Sequence, residues 1–227
     1  MSLVAITVST NYSDLLPYTV KQNLRFFKKW IFVTDIADIA TIDYLSNFSN
    51  VIVLYWDFKN SGRVFDKGGA LRYAQSIAYA LYPNDWYVVL DSDICLSNKF
   101  KKITSHLQAL RENAIYGALR RWDYRKLSDY LFEKNHFEYP WGDQLQGYFQ
   151  LYKQHQFYSG SNDASGCDLE FVHHFAEKHF FSEFVCFHLG HRGNWSGREL
   201  GADFEVDVKL GVFNRNLHKF RQWIARY

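Results

Sequence analysis

Over residues 3–90, short runs rich in β-branched and aromatic residues alternate with helical patterns, and this alternation constrains the fold more than any other feature. Residues 3–9, 29–34, 51–56 and 86–90 read as strands, and 15–27, 36–48 and 68–81 as helices. The third helix has the plainest pattern, with Ala70, Leu71, Ala74, Ile77, Ala78 and Leu81 on one face and Pro83-Asn84 ending it. A β-α-β-α-β-α-β order predicts a parallel sheet with right-handed crossovers. The expected class is therefore α/β: a Rossmann-related, mostly parallel central sheet flanked by helices.

After Asp93 the rhythm changes. Residues 99–113 read as a helix and 114–120 as a strand, and 121–142 form a charged, aromatic excursion over the surface. A strand at 146–152, a polar loop at 159–166, a helix at 168–179, a strand at 183–189 and a Gly-containing loop at 190–201 follow. Without repeats or linkers, residues 1–227 are expected to form one domain. Its halves would be 1–95 and 96–213, with a closing helix at 214–227.

A chain of 227 residues, 48% hydrophobic and 22% charged, buries a sizeable core without staples. A net charge of +2 argues against a dedicated nucleic-acid binder. Cys95, Cys167 and Cys186 are odd in number and far apart, which suggests free thiols in a reducing compartment. With no apolar run of about 18 residues, a cytoplasmic protein without a transmembrane segment is expected. The amphipathic tail from Asn214 to Tyr227 reads as a docking helix, with peripheral membrane contact as the alternative. Aromatic residues reach 19%, enough either for a core of large side chains or for surface faces that stack on sugars and nucleobases.

In a parallel sheet the carboxyl ends of the strands line one crevice. Thr10 and Asn11, Asp35, Asp57 and Asp91-Ser92-Asp93 all fall at such ends. Asp91 and Asp93 offer a cluster of hard oxygen ligands, suited to Mg²⁺ or Mn²⁺ carrying a diphosphate, or else they cap a turn. Asp35 would accept hydrogen bonds from a base or ribose, with Thr10 and Asn11 shaping the same pocket. Each of these three also reads as a turn or cap residue. Arg63, Lys67 and the Gly68-Gly69 backbone precede a helix, where an anionic diphosphate would sit. Neither a Walker loop nor a dinucleotide fingerprint is present.

Asp66-Lys-Gly-Gly-Ala-Leu-Arg-Tyr-Ala74 followed by Trp86-Tyr-Val-Val-Leu-Asp-Ser-Asp93 resembles the nucleotide-sugar half of GT-A-type glycosyltransferases. Gly147-Tyr-Phe-Gln-Leu151, Ser165-Gly-Cys-Asp-Leu-Glu-Phe171, Phe187-His-Leu-Gly-His191 and Asn194-Trp-Ser-Gly-Arg198 extend the likeness over residues 3–198. The resemblance implies a GT-A-like fold with an antiparallel extension on the acceptor side. It implies transfer of a hexose from a nucleotide-diphosphate sugar, UDP being the expected nucleotide, to a glycan, lipid or protein hydroxyl, with inversion. Asp93 would ligate a divalent metal, Mn²⁺ or Mg²⁺, together with His188 or its competitor His191. Asp91 would face the ribose, and Lys67 or Arg198 would meet the leaving diphosphate. Asp168 would be the general base, with Asp143, Asp163 and Glu170 as rivals and an N-cap role as the alternative. The usual Glu-Asp pair is absent at that position, which leaves a retaining outcome open. His173, His174 and His179 read as surface or core residues.

Two further classes compete. A sugar-phosphate nucleotidyltransferase shares the sheet and the metal logic, but Ser9-Thr-Asn-Tyr-Ser13 lacks the Gly and Arg expected after the first strand. A non-catalytic nucleotide-sugar or glycan-binding module would keep the aromatics without turnover.

Overall fold

The computed structural model describes residues 2–59, 65–139, 145–160, 164, 166–190, 198 and 204–207. Its first half follows the expected alternation: β1 (Leu3–Val8), α1 (Leu16–Asn23), β2 (Lys29–Thr34), α2 (Ile39–Leu45), β3 (Val51–Tyr55), α3 (Lys67–Leu81) and β4 (Trp86–Leu90). The second half adds β5 (Ile94–Leu96), α4 (Phe100–Ser105), β6 (Ala114–Tyr124), α5 (Leu127–Phe132), β7 (Phe137–Tyr139), β8 (Phe149–Tyr152), α6 (Cys167–Val172) and β9 (Glu177–Leu189). The described strands make one curled sheet in the order β3-β2-β1-β4-β8-β6-β9-β5, with β7 paired on β6.

β3, β2, β1 and β4 are mutually parallel, as the crossovers require. β8 then enters antiparallel between β4 and β6, so β6 points the same way as β4. β9 runs parallel to β6, and β5 closes the far side antiparallel to β9. Consequently the ends of β1, β2, β3, β4, β6 and β9 and the start of β8 share one edge. The antiparallel extension expected of the second half is this β8–β6 and β9–β5 pairing.

Both faces of the parallel half are covered, which explains its near-continuous apolar strands. Leu3, Ala5, Trp30, Phe32, Trp86 and Val88 pack on one side with Leu16, Val20 and Phe100. Val4, Ile6, Ile31, Val33, Tyr87 and Val89 pack on the other with Ala70, Leu71, Ala74 and Ala78 of α3. Much of the aromatic surplus is core: Trp30, Trp86, Tyr87, Tyr124, Tyr152 and Phe171 are among the fully buried side chains. The three cysteines are buried and free. No described helix is long and apolar enough to cross a membrane.

Three expectations fail, the second and third through strand pairing. The helix expected over 99–113 ends at Ser105, with a single 3-10 turn at Leu107–Ala109. Residues 121–142 do not begin as a surface excursion, because β6 continues to Tyr124 with Trp122 and Tyr124 buried. The helix expected over 168–179 stops at Val172, and a strand takes over at Glu177. There the register with Ala114–Ala118 of β6 decides, and His179 and Phe181 stack on Tyr116. His173 and His174 are exposed. The tail 214–227 lies outside the described residues.

Candidate active site

The start of α3 sets one wall of a cleft at the shared strand edge. Asp66 is its N-cap, and its Oδ1 accepts the Gly69 N–H at 3.1 Å. A side chain at residue 69 would collide with that carboxylate, since a Cβ would lie 2.4 Å from Asp66 Oδ2. The Gly69 amide expected to meet a diphosphate is thus taken by the cap. Lys67, the first helical residue, turns inward instead. Its Nζ lies 3.0 Å from Asp91 Oδ1 and 3.2 Å from Asp168 Oδ2. Burial would lower the Lys67 pKa, but Asp168 and Asp91 outweigh it and hold the ammonium well above its ordinary range. Burial and the neighbouring Asp93 and Asp168 carboxylates push Asp91 up against the pull of Lys67.

Asp168 is not the cap of its helix. Gly166 holds that position, and the Asp168 carboxylate crosses to Lys67 over the backbone of Gly147. A Cβ on Gly147 would fall 1.8 Å from Asp168 Oδ2, so only glycine leaves room for this approach. From beneath, Gln150 Nε2 donates to the Asp168 carbonyl at 3.2 Å, while its Oε1 accepts the Tyr158 hydroxyl.

The deeper wall is a chain of charges. Asp93 Oδ2 lies 3.4 Å from His188 Nε2, and His188 Nδ1 lies 3.2 Å from Asp123 Oδ1. The second contact is a charge pairing, not aligned as a hydrogen bond. Arg121 then grips both Asp123 oxygens, Nε at 2.7 Å and Nη2 at 3.0 Å. Burial would lower the His188 pKa, yet Asp93 and Asp123 outweigh it and push the imidazole up to about 9. Burial would raise the two carboxyls, but His188 and Arg121 hold both Asp93 and Asp123 below the usual range. A protonated ring therefore supplies the positive charge these buried carboxylates need.

At the third wall, Arg198 reaches the loop after β1 from nearly two hundred residues away. Its guanidinium pairs with both Asp14 oxygens at 2.5 and 3.0 Å, lies 4.9 Å over the Tyr12 ring and donates to the Asn11 carbonyl at 3.0 Å. Asn11, at φ 62°, answers with Nδ2 on the Arg198 carbonyl at 2.8 Å, and its own N–H is held by Asp38 at 2.7 Å. Arg198 lines the cleft as a clasp for this loop, already committed to a carboxylate.

The cleft thus joins Thr10, Lys67, Asp91, Ser92, Asp93, Asp168, His188 and Arg198 from the residues singled out in the sequence. Ser92 lines it with its hydroxyl donated to the Val8 carbonyl at 2.7 Å. Asn11 shapes the wall from behind. Asp35 and Glu170 are not among the lining residues, and Asp35 closes a turn onto the Ala37 N–H at 2.9 Å. Arg63, Asp143, Asp163 and His191 lie outside the described residues. Sequence reasoning missed Arg121, Asp123 and Tyr12, and it had Gly147 and Tyr148 only as part of the stretch Gly147-Tyr-Phe-Gln-Leu151. The period-2 alternation Arg121-Trp122-Asp123-Tyr124 carried the signal for two of them, charge on one face and aromatic on the other.

No protein-family model matches this sequence, and no curated protein matches it. Solved structures do match. S. aureus TarS superposes with a TM-score of 0.56 at 12% identity, covering 82% of this chain and 36% of TarS. The inositol-1-phosphate CTP transferase from T. maritima gives 0.51 at 10% identity and covers 96% of both chains. The likeness is one of fold. The chain spans about a third of the length of TarS, and nearly all of the CTP transferase. Both agree with the mostly parallel α/β sheet flanked by helices.

Whether the cleft suits the implied divalent metal can be judged from its own atoms. Among the described residues no three His, Cys, Asp or Glu side chains are grouped as a complete protein-built metal site. Mg²⁺ and Mn²⁺ at phosphate sites ordinarily take one or two carboxylates, the rest coming from substrate oxygens and water. Asp93 Oδ1 is buried and has no hydrogen-bond partner, an arrangement that costs about 1–3 kcal/mol unless something positive meets it. His188 Nε2 faces the other oxygen of the same carboxylate. The pair fits a metal completed by substrate, and the imidazole suits Mn²⁺.

Proposed function

We propose that this protein is a metal-dependent glycosyltransferase that moves a hexose from a UDP-sugar to a hydroxyl of a glycan, lipid or protein acceptor with inversion. The observation that carries this reading is the convergence, at one strand edge, of Asp93 with His188 and of Lys67 with Asp91 and Asp168. Asp93 and His188 would hold the divalent cation, which neutralises the diphosphate when bound. Asp91, a third open to the cleft, is placed for a ribose hydroxyl once Lys67 shifts. Lys67 supplies a permanent positive charge for the oxygens of the departing diphosphate. Asp168 accepts the acceptor's proton as that oxygen bonds to the anomeric carbon, and the bond to the diphosphate breaks with its electron pair. Lys67 Nζ, 3.2 Å from Asp168 Oδ2, holds that side chain in place at the cleft. Thr10 presents a hydroxyl oxygen with no hydrogen-bond partner at the nucleotide end.

The match to the T. maritima CTP transferase over 96% of both chains favours a second reading, a sugar-phosphate nucleotidyltransferase. Against it, the loop after β1 has neither Gly nor Arg of its own, and Arg198, which reaches it, is paired to Asp14. Incubation with Mn²⁺ and a panel of UDP-hexoses, in parallel with CTP or UTP plus sugar 1-phosphates, tests both. Release of UDP from one donor is expected. Pyrophosphate release with no turnover of nucleotide sugars would replace the first reading with the second. Metal-independent binding with neither product would point to a non-catalytic module.

A further inference from the structure

We infer that Asp123, held by Arg121, is a positioning residue that fixes His188 as an Nε2 ligand. The inference rests on the metal site proposed above. Asp123 and His188 are register partners on the parallel strands β6 and β9, so their side chains leave the same face of a rigid pair. Each ring nitrogen faces a carboxylate, Asp93 at 3.4 Å from Nε2 and Asp123 at 3.2 Å from Nδ1. A cation arriving between Asp93 and the ring would displace the Nε2 proton, and the negative charge of Asp123 would keep the remaining proton on Nδ1. The carboxylate is itself fixed, since the Arg121 fork takes both oxygens and the same guanidinium lies 5.2 Å over the Tyr148 ring. A carboxylate behind a ligating imidazole orients the ring and raises its basicity, and losing it typically costs about 10–100-fold in metal affinity. All four groups are strand residues or adjoin one, so the arrangement is built before any ligand arrives.

Titration of Mn²⁺ into the protein with saturating UDP, followed by electron paramagnetic resonance, reads the affinity directly. Asp123→Asn is expected to weaken Mn²⁺ about 10–100-fold while leaving UDP affinity without metal unchanged. His188→Ala in the same titration tests the site itself. If His188→Ala weakens Mn²⁺ and Asp123→Asn does not, the inference is overturned and the metal site stands. If the unaltered protein with UDP takes up no Mn²⁺, the site and the inference fall together. Because Asp123 is buried, a measurement on the native sequence stands beside the variants. ¹⁵N spectra with Mg²⁺ and UDP, assigned through His188→Gln, should show His188 protonated at Nδ1 and bare at Nε2. The opposite tautomer would overturn the inference whatever the variants do.

Discussion

Gly147 and Asp168 show how one missing side chain can hold a candidate base in place. The carboxylate occupies the volume a Cβ would fill, 1.8 Å from where it would stand, which no van der Waals contact permits. Gly147→Ala should therefore displace Asp168 from Lys67 and cost about 1–3 kcal/mol of stability through overpacking. In the proposed reaction, Asp168→Asn should lower turnover by about 10²–10⁴-fold. Gly147→Ala should fall toward the same level in steady-state assays, and native turnover in the alanine variant would remove Asp168 from the base role. Residues of this kind differ in how legibly the sequence presents them. Asp91 and Asp93 announce themselves because a charged pair interrupts an apolar run. Asp123 does not, because its purpose appears only when β6 and β9 lie in register. Arg198 was visible as a cation but not as the partner of Asp14, since pairing across that much chain leaves no local mark.

Among the elements, α3 was the most readable and is the one that delivers Lys67. Its apolar face repeats at helical spacing, and Asp66 caps it through the Gly69 N–H. Asp66 is buried and also accepts the Trp56 indole N–H at 3.3 Å, which ties the cap to the end of β3. Asp66→Ala should cost about 1 kcal/mol, within a range of about 0.5–2, from loss of the cap. In chemical denaturation this should appear as a lower midpoint at unchanged slope. An unchanged midpoint would mean that packing against β1 and β2 alone sets this terminus. Elements of the second half were less readable for a physical reason. The segment 168–179 carries apolar residues at spacings that suit a helix, yet β6 offers a parallel partner from Ala114 onward, and pairing wins over local preference. Nothing local in Phe149–Tyr152 shows that β8 will insert antiparallel between β4 and β6.

The molecule as a whole separates its chemistry from its anchorage. The cleft lies at one edge of the sheet, while at the opposite edge Asp85 fastens the start of β1 and the approach to β2 to the turn before β4. Its carboxylate accepts the Ser2 hydroxyl at 2.6 Å, the Ser2 N–H at 3.2 Å and the Lys28 ammonium at 2.9 Å. Burial would raise the Asp85 pKa, but these donors outweigh it and hold the carboxyl below its ordinary value. A group whose folded value is depressed stabilises the protein above the unfolded value, about 3.9 for aspartate, and that stability is lost as pH falls through the folded value. The native protein should thus melt at progressively lower temperature below about pH 4. Asp85→Asn should be less stable than the native protein at pH 7, and the gap should narrow as the pH approaches the folded value. Because Asp85 lies across the sheet from the cleft, Mn²⁺ and UDP affinity at pH 7 should be unaffected. Melting curves of both proteins from pH 7 down to strong acid decide the matter: parallel curves would show that Asp85 acts through packing alone, whereas converging curves identify the charged anchor.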